Sequence, residues 1–389
     1  MKSLLKHFQD ARLWIPLLFL LSFELVLQSG VYARYLLEPE SYAENVSRVV
    51  RTVKESPLPA NALVIGTSVP YQGFLMPRLN AGLENTGLVV QSAACQGAMI
   101  ETQYSIFRAV APELPGLKVI LYVADPALAW KTRYYIEKSN LSMVAQFPRW
   151  ETVQLLEDMR YELRPQDQAY IWVRSLTYQQ DIRNFVLSPL NRIKRIGNRL
   201  DHMTHLYPYE NEHQFSMAAF EATDLRRCIE NASQPSEGSG EFIYDQVGHK
   251  ISDRHHRNSV LQTCVMADLE IYLDSLPPRT QWRDLYFERL GMLFDEMHAR
   301  GYRIVTIFPP YSNLIDPLND DERISEWRTR LREIYGENPY YELDMRRVLD
   351  GPDNASYYYD ILHLNAAGAA RWTDALIGRL RPLAPALMN

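Results

Sequence analysis

Four short apolar runs constrain this chain most: "ALVIG" at 62–66, "GLVVQSA" at 87–93, "KVILYVAD" at 118–125 and "YRIVTIFPP" at 302–310. Each is rich in Val, Ile or Leu and bounded by turn residues. A strand covered on both faces reads as a continuous run, whereas a half-solvated one alternates. Helix patterns stand between the runs. "IETQYSIFRAVAPEL" (100–114) follows the second, and "DLYFERLGMLFDEMHARG" (284–301) precedes the fourth. Asp284 is the expected N-cap of the latter and Gly301 its C′ residue. Strands alternating with helices predict an α/β fold: a central parallel sheet wrapped on both faces, an α/β/α sandwich.

The first 35 residues stand apart. Lys2, Lys6 and Arg12 precede "LWIPLLFLLSFELVLQSGVYA", residues 13–33, in which Glu24 is the one charge. A membrane-spanning helix needs ~20 apolar residues, and a basic flank keeps its side in the cytoplasm. Two readings stand. One is an uncleaved N-terminal transmembrane signal-anchor, single-pass in the inner (cytoplasmic) membrane with its N-terminus inside. The other is a signal peptide cleaved after Val31-Tyr32-Ala33. The long apolar stretch after Glu24 favours the anchor, and either reading makes the remainder periplasmic or otherwise extracytoplasmic. A carboxylate within an apolar helix is costly, so Glu24 points to a membrane partner or snorkels to the outer interface.

Residues 36–60 read as a polar helical connector ending at Pro57 and Pro59, and 61–389 as one domain. Its strand–helix rhythm is interrupted by a helical insertion at about 131–280. That insertion holds a basic amphipathic stretch, "NRIKRIGNR" (191–199), and a loop, "NASQPSEGSGE" (231–241). The basic stretch reads first as a solvated helix face, second as a contact for anionic lipid or polymer.

A net charge of −6 gives no reason to expect nucleic acid as a partner. Neither a P-loop nor a GxGxxG occurs, so no nucleotide cofactor is expected, and indeed no cofactor of any kind. Cys228 and Cys264 flank a polar segment and are expected to pair in an oxidising compartment, leaving Cys95 buried and free; three free thiols are the alternative. His202 with His205, and His255 with His256, lack the supporting ligands of a zinc site, so no metal is expected. Asn45, Asn140, Asn231 and Asn354 begin N-x-S sequons, which matter only in a eukaryotic secretory pathway.

Chemistry gathers at the two ends of the 61–389 segment. Ser68 ends "ALVIGTS", where it serves either as a helix cap or as a nucleophile at the carboxyl edge of the sheet. Near the C-terminus stands "YYYDILHLNAAGAARW" (357–372). Asp360 and His363 are three apart, on one side of a turn, and a carboxylate beside an imidazole fixes its tautomer. Asn365 reads as the N-cap of a terminal helix that turns Trp372, Leu376 and Leu380 inward. A serine needs such an oriented base to become nucleophilic.

On these residues the chain resembles the SGNH (GDSL-type) hydrolase superfamily. Gly66-Thr67-Ser68 matches its first block, and Asp360, His363, Leu364 and Asn365 its last. The resemblance implies an SGNH-like catalytic domain with Ser68 as nucleophile, His363 as general base and Asp360 as its orienting partner. It also implies an oxyanion hole built from the N–H groups of Ser68 and of Gly97 in "SAACQGAM". The third block departs from the family, with Asp125 where an Asn donor usually stands. Such departures are similar to those of membrane-anchored SGNH proteins that assist O-acylation of bacterial cell-surface polymers. The likeness implies O-acyl (acetyl) transfer to an extracytoplasmic glycan acceptor, with a multi-pass membrane O-acyltransferase as partner. A carbohydrate or lipid esterase with the same triad, and a non-catalytic SGNH-fold assembly protein, remain alternatives. The resemblance covers about 62–125 and 302–380.

Overall fold

The computed structural model describes residues 11–30, 33–37, 41–126, 128–129, 132–201, 206–208, 243–244, 250–251, 284–313, 321–358 and 362–389. The chain forms two compact units, Met1–Ser47 with Tyr135–Asp201, and Arg48–Tyr134 with His202–Asn389. The second unit carries the sheet. Strands β1 (Ala62–Ile65), β2 (Val90–Ser92), β3 (Val119–Val123), β6 (Arg303–Phe308) and β7 (Tyr341–Asp344) lie in the order β2-β1-β3-β6-β7. All pair in parallel, with Ala62 opposite both Val90 and Val119, Val119 opposite Arg303, and Val305 opposite Tyr341. A two-stranded antiparallel ribbon, β4 (Ile243–Tyr244) and β5 (Lys250–Ile251), stands apart from it.

Successive strand residues face opposite ways, and each face meets its own helices. On one, Val64, Leu121, Val305 and Ile307 join Trp372, Leu376 and Leu380 in a single core. Those three belong to α15 (Ala366–Met388), which packs on α4 (Ser68–Gly73) and α5 (Met76–Leu83). On the other, Tyr122 meets Phe294 edge-on at 5.0 Å and Phe308 meets Trp327 at 5.2 Å. Phe294 lies on α13 (Asp284–Ala299), which packs on α6 (Ile100–Val110) and on α14 (Asp321–Tyr335). Each fully buried Leu, Ile or Val contributes roughly 1.5–3 kcal/mol, so this two-sided burial is the main source of stability. The four apolar runs correspond to β1, β2, β3 and β6.

The sequence pattern missed β7. It is an edge strand with one neighbour, and only Leu343 of its residues is buried. Glu342 and Asp344 instead accept from Arg328 of α14 at 2.7 and 2.5 Å, so the apolar run that marks an inner strand is absent.

The first unit contains α1 (Ala11–Gln28), α2 (Ala33–Leu36) and the start of α3 (Tyr42–Glu55). From the insertion it takes α7 (Lys138–Val144), α8 (Arg149–Asp158), α9 (Pro165–Trp172), α10 (Arg174–Thr177), α11 (Gln179–Leu187) and α12 (Pro189–Asp201). The expected connector thus contains α3, whose Val46, Val49 and Val53 are buried. Among the described residues no helix is long and apolar enough to cross a membrane, which corrects the expected transmembrane helix over 13–33. Helix α1 spans 18 residues, contains Arg12, Pro16 and Glu24, and gives way at Ser29 and Gly30, whose φ is +71°. Its surface is nonetheless apolar: Ile15, Phe19 and Leu25 are 67–70% exposed.

Glu24 does not need an outside partner. Its carboxylate accepts from the backbone N–H groups of Arg174 and Ser175 at 2.6 and 2.9 Å, and from the Gln28 amide at 2.6 Å. Those two backbone groups open α10 and would otherwise lack helical partners. Three of the four sequon asparagines, Asn45, Asn140 and Asn354, are buried and closed to glycosylation, and Asn231 lies outside the described residues. Cys95 is free and buried, and burial pushes its thiol up to about 12 despite the nearby Arg48 guanidinium. Cys228, Cys264, His202, His205, His255 and His256 lie outside the described residues.

Candidate active site

In the order β2-β1-β3, the chain steps from β1 to one side and returns on the other. In open α/β sheets, ligands bind beyond the carboxyl ends of the strands at that reversal. Ser68 follows β1, Asp125 follows β3, and both therefore stand at the switch point.

The turn after β1 is made by Gly66 and Thr67. A Cβ on Gly66 would lie 2.6 Å from Cγ of Pro70 and 3.3 Å from Val123, so only glycine lets the chain fold back this tightly. Thr67 caps α4: its hydroxyl accepts from the N–H of Val69 at 3.3 Å. The same hydroxyl donates to Asp125 at 3.3 Å, and Asp125 also accepts from the Tyr311 hydroxyl at 3.3 Å. The Asp125 carboxylate thus braces the residue next to Ser68. Ser68 itself is half-buried in the first turn of α4.

His363 arrives from the other end of the chain. Tyr358 and Leu364 form an isolated antiparallel bridge, and the N–H of Asn365 donates to the Tyr357 carbonyl at 3.0 Å, so both shoulders of the His363 loop are held. Asn365 then caps α15, its side-chain oxygen accepting from the N–H of Gly368 at 3.0 Å while its amide donates to the Ser356 carbonyl at 2.7 Å. Trp372, Leu376 and Leu380 are buried along α15, as the sequence pattern predicts.

The two elements are locked to each other. The ring of Trp372 lies 4.5 Å from Phe74, and a Cβ on Gly73 would come within 2.3 Å of that ring. The N–H of Leu75 donates to the Thr373 hydroxyl at 3.1 Å, and Arg78 grips Asp374 with two bonds of 2.7 and 2.5 Å. Helix α4, which starts with Ser68, therefore ends against the helix that starts just after His363. The outcome is a 2.9 Å contact between Nε2 of His363 and Oγ of Ser68, 295 positions apart in the chain. With Nε2 unprotonated, the imidazole accepts the serine proton at that distance.

Asp360 lies outside the described residues. Gly97 occupies the turn after β2 with φ of +74°, on the same sheet edge as Ser68, and Cys95 ties that turn to β1 through its N–H bond to the Gly66 carbonyl at 3.1 Å. Behind α4, the Arg48 guanidinium donates to the Tyr71 hydroxyl, and both residues are buried. Sequence reasoning missed Tyr311 and Arg48. A single tyrosine behind Pro309 and Pro310 carries no spacing signal, and an arginine in a polar helix reads as solvated. No family model matches the chain, and no curated protein matches it.

Proposed function

We propose that the chain is an SGNH-type acyl-transfer enzyme, acting outside the cytoplasm as an O-acyl (acetyl) transferase on a cell-surface or secreted polysaccharide. The observation that carries this reading is the 2.9 Å contact between Ser68 and His363 at the sheet's switch point. In the first half-reaction His363 takes the Ser68 proton as Oγ attacks the carbonyl carbon of an acyl donor. The tetrahedral oxyanion is met by the N–H groups of Ser68 and Gly97, a kind of donor worth about 3 kcal/mol in the transition state. The intermediate then collapses, the leaving group departs with the proton held by His363, and an acyl ester remains on Ser68. A glycan hydroxyl next attacks that ester, His363 removes its proton and returns it to Ser68, and the acylated glycan leaves. Asp360 would orient the imidazole and stabilise its cationic form.

The N-terminal segment would hold the chain at the inner membrane, a placement supported by the exposed apolar side chains of α1. A multi-pass O-acyltransferase that brings the acyl group across would be its partner; Glu24, bound to α10, is not the link.

The test supplies a short-chain aryl ester with and without a polysaccharide acceptor. The expected result is a burst of phenol, an acyl adduct on Ser68 by mass, and acyl groups on the polysaccharide. Water as the sole acceptor would make the protein an esterase. An adduct elsewhere on the chain would overturn the reading.

A further inference from the structure

Helices α11 and α12 meet at a corner where Ser188 alone separates Leu187 from Pro189. The inward sides of both are occupied. Arg192 and Asp181 are buried and paired at 3.7 Å, Arg192 donates to the Leu36 carbonyl at 2.8 Å, and Ile196 is buried. The outward side presents aliphatic side chains: Val186 and Leu187 are each 69% exposed, Leu190 80% and Ile193 58%. Scattered exposed apolar residues are ordinary, but four large ones at one corner mark a contact surface.

Charge selects the occupant. Besides the buried, paired Arg192, residues 182–200 hold Arg183, Lys194, Arg195 and Arg199 and no Asp or Glu. Arg183 and Lys194 are exposed beside the aliphatic tip. Apolar side chains flanked by cations, with no acid between them, suit a bilayer interface whose headgroups are anionic. The corner also belongs to the same compact unit as α1. Leu27 of α1 is clustered with Tyr178, and Phe23 and Ile182 of α11 pack against that cluster. The apolar surface of α1 and the corner are thus carried by one packed body.

We propose that the α11–α12 corner dips into the surface of a membrane containing anionic lipid, a second lipid contact beside the N-terminal segment. This rests on the membrane placement proposed above and not on the acyl-transfer chemistry. The test places an environment-sensitive fluorescent amino acid at position 190 in the full chain, reconstituted in vesicles with brominated acyl chains. A second protein carries the probe at position 20, in α1. With one third phosphatidylglycerol in phosphatidylcholine, the probe at 190 should shift to the blue and lose severalfold in emission. In pure phosphatidylcholine, or with Lys194→Glu, that quenching should fall. Quenching at 20 with none at 190 would overturn the corner contact alone. No quenching at either position would remove the membrane placement as well. Equal quenching at 190 in both lipids would refute recognition of anionic headgroups. A probe at 190 shielded only after adding a membrane-protein extract would identify a protein partner and overturn the proposal.

Discussion

Helix α15 and helix α1 are both rich in apolar residues, and they meet opposite surroundings. In α15 the buried residues Trp372, Leu376, Leu380, Ala384 and Leu387 recur every three or four positions, with polar residues such as Asp374 and Arg381 between them. In α1 the apolar residues run almost without interruption, and Ile15, Leu18, Phe19, Leu20 and Leu25 remain exposed. A stripe can be satisfied by one neighbouring face; a helix that is apolar all round needs cover on every side. The stripe on α15 is what fixes His363 against Ser68, whereas the described residues leave much of the apolar surface of α1 exposed, the feature on which the proposed membrane placement rests.

The sharpest way to break this contrast is Trp372→Ala. Removing a fully buried indole at the α4–α15 contact should cost about 3–5 kcal/mol in chemical denaturation. A loss under about 1 kcal/mol would mean that α15 does not hold the site. Gly73→Ala tests the same contact from the opposite side. A methyl group within 2.3 Å of the Trp372 ring must push α4 and α15 apart, so stability should drop by roughly 1–3 kcal/mol and acyl transfer should fall further than stability explains.

A smaller effect is expected at the edge strand. Burial works to raise the Asp344 carboxyl, but hydrogen bonds from Arg346 and Arg328 outweigh it and hold the group below its usual range. A carboxyl depressed in the folded state stabilises above its unfolded pKa, and that contribution is lost as pH falls through the folded value. Asp344→Asn should therefore lower Tm at about pH 7, and the gap to wild type should close as pH falls below the ordinary aspartate range and through the depressed folded value. A gap independent of pH would show that packing, not charge, is at work there. Smallest of all is Phe19→Ser on α1. That ring is 69% exposed, so the free energy of unfolding should change by no more than about 0.5 kcal/mol, while the proposed membrane association should weaken. A large loss of Tm would place Phe19 against protein.

The same physics decides how much was legible in the sequence. Strands β1, β3 and β6 could be read because burial on both faces leaves continuous Val/Ile/Leu runs. Strand β7 could not, because an edge strand that pairs Glu342 and Asp344 with arginines carries no such run. Ser68, His363 and Asn365 could be placed because turn chemistry and capping are local. The brace from Asp125 to Thr67 and Tyr311 joins three distant segments, and only the sheet order brings them together. In the 13–33 segment, apolarity is visible in the sequence, but the capture of Glu24 by α10 depends on a contact about 150 residues away in the chain.

The central claim is that Ser68 and His363 act as one nucleophilic unit. Its most direct test is the rate of covalent labelling by a fluorophosphonate serine probe, with the modified residue located by mass analysis. Wild-type protein should be labelled on Ser68, Ser68→Ala should take no label, and His363→Ala should label about 10²–10⁴-fold more slowly. Labelling of His363→Ala at the wild-type rate, or of Ser68→Ala at any comparable rate, would contradict the account.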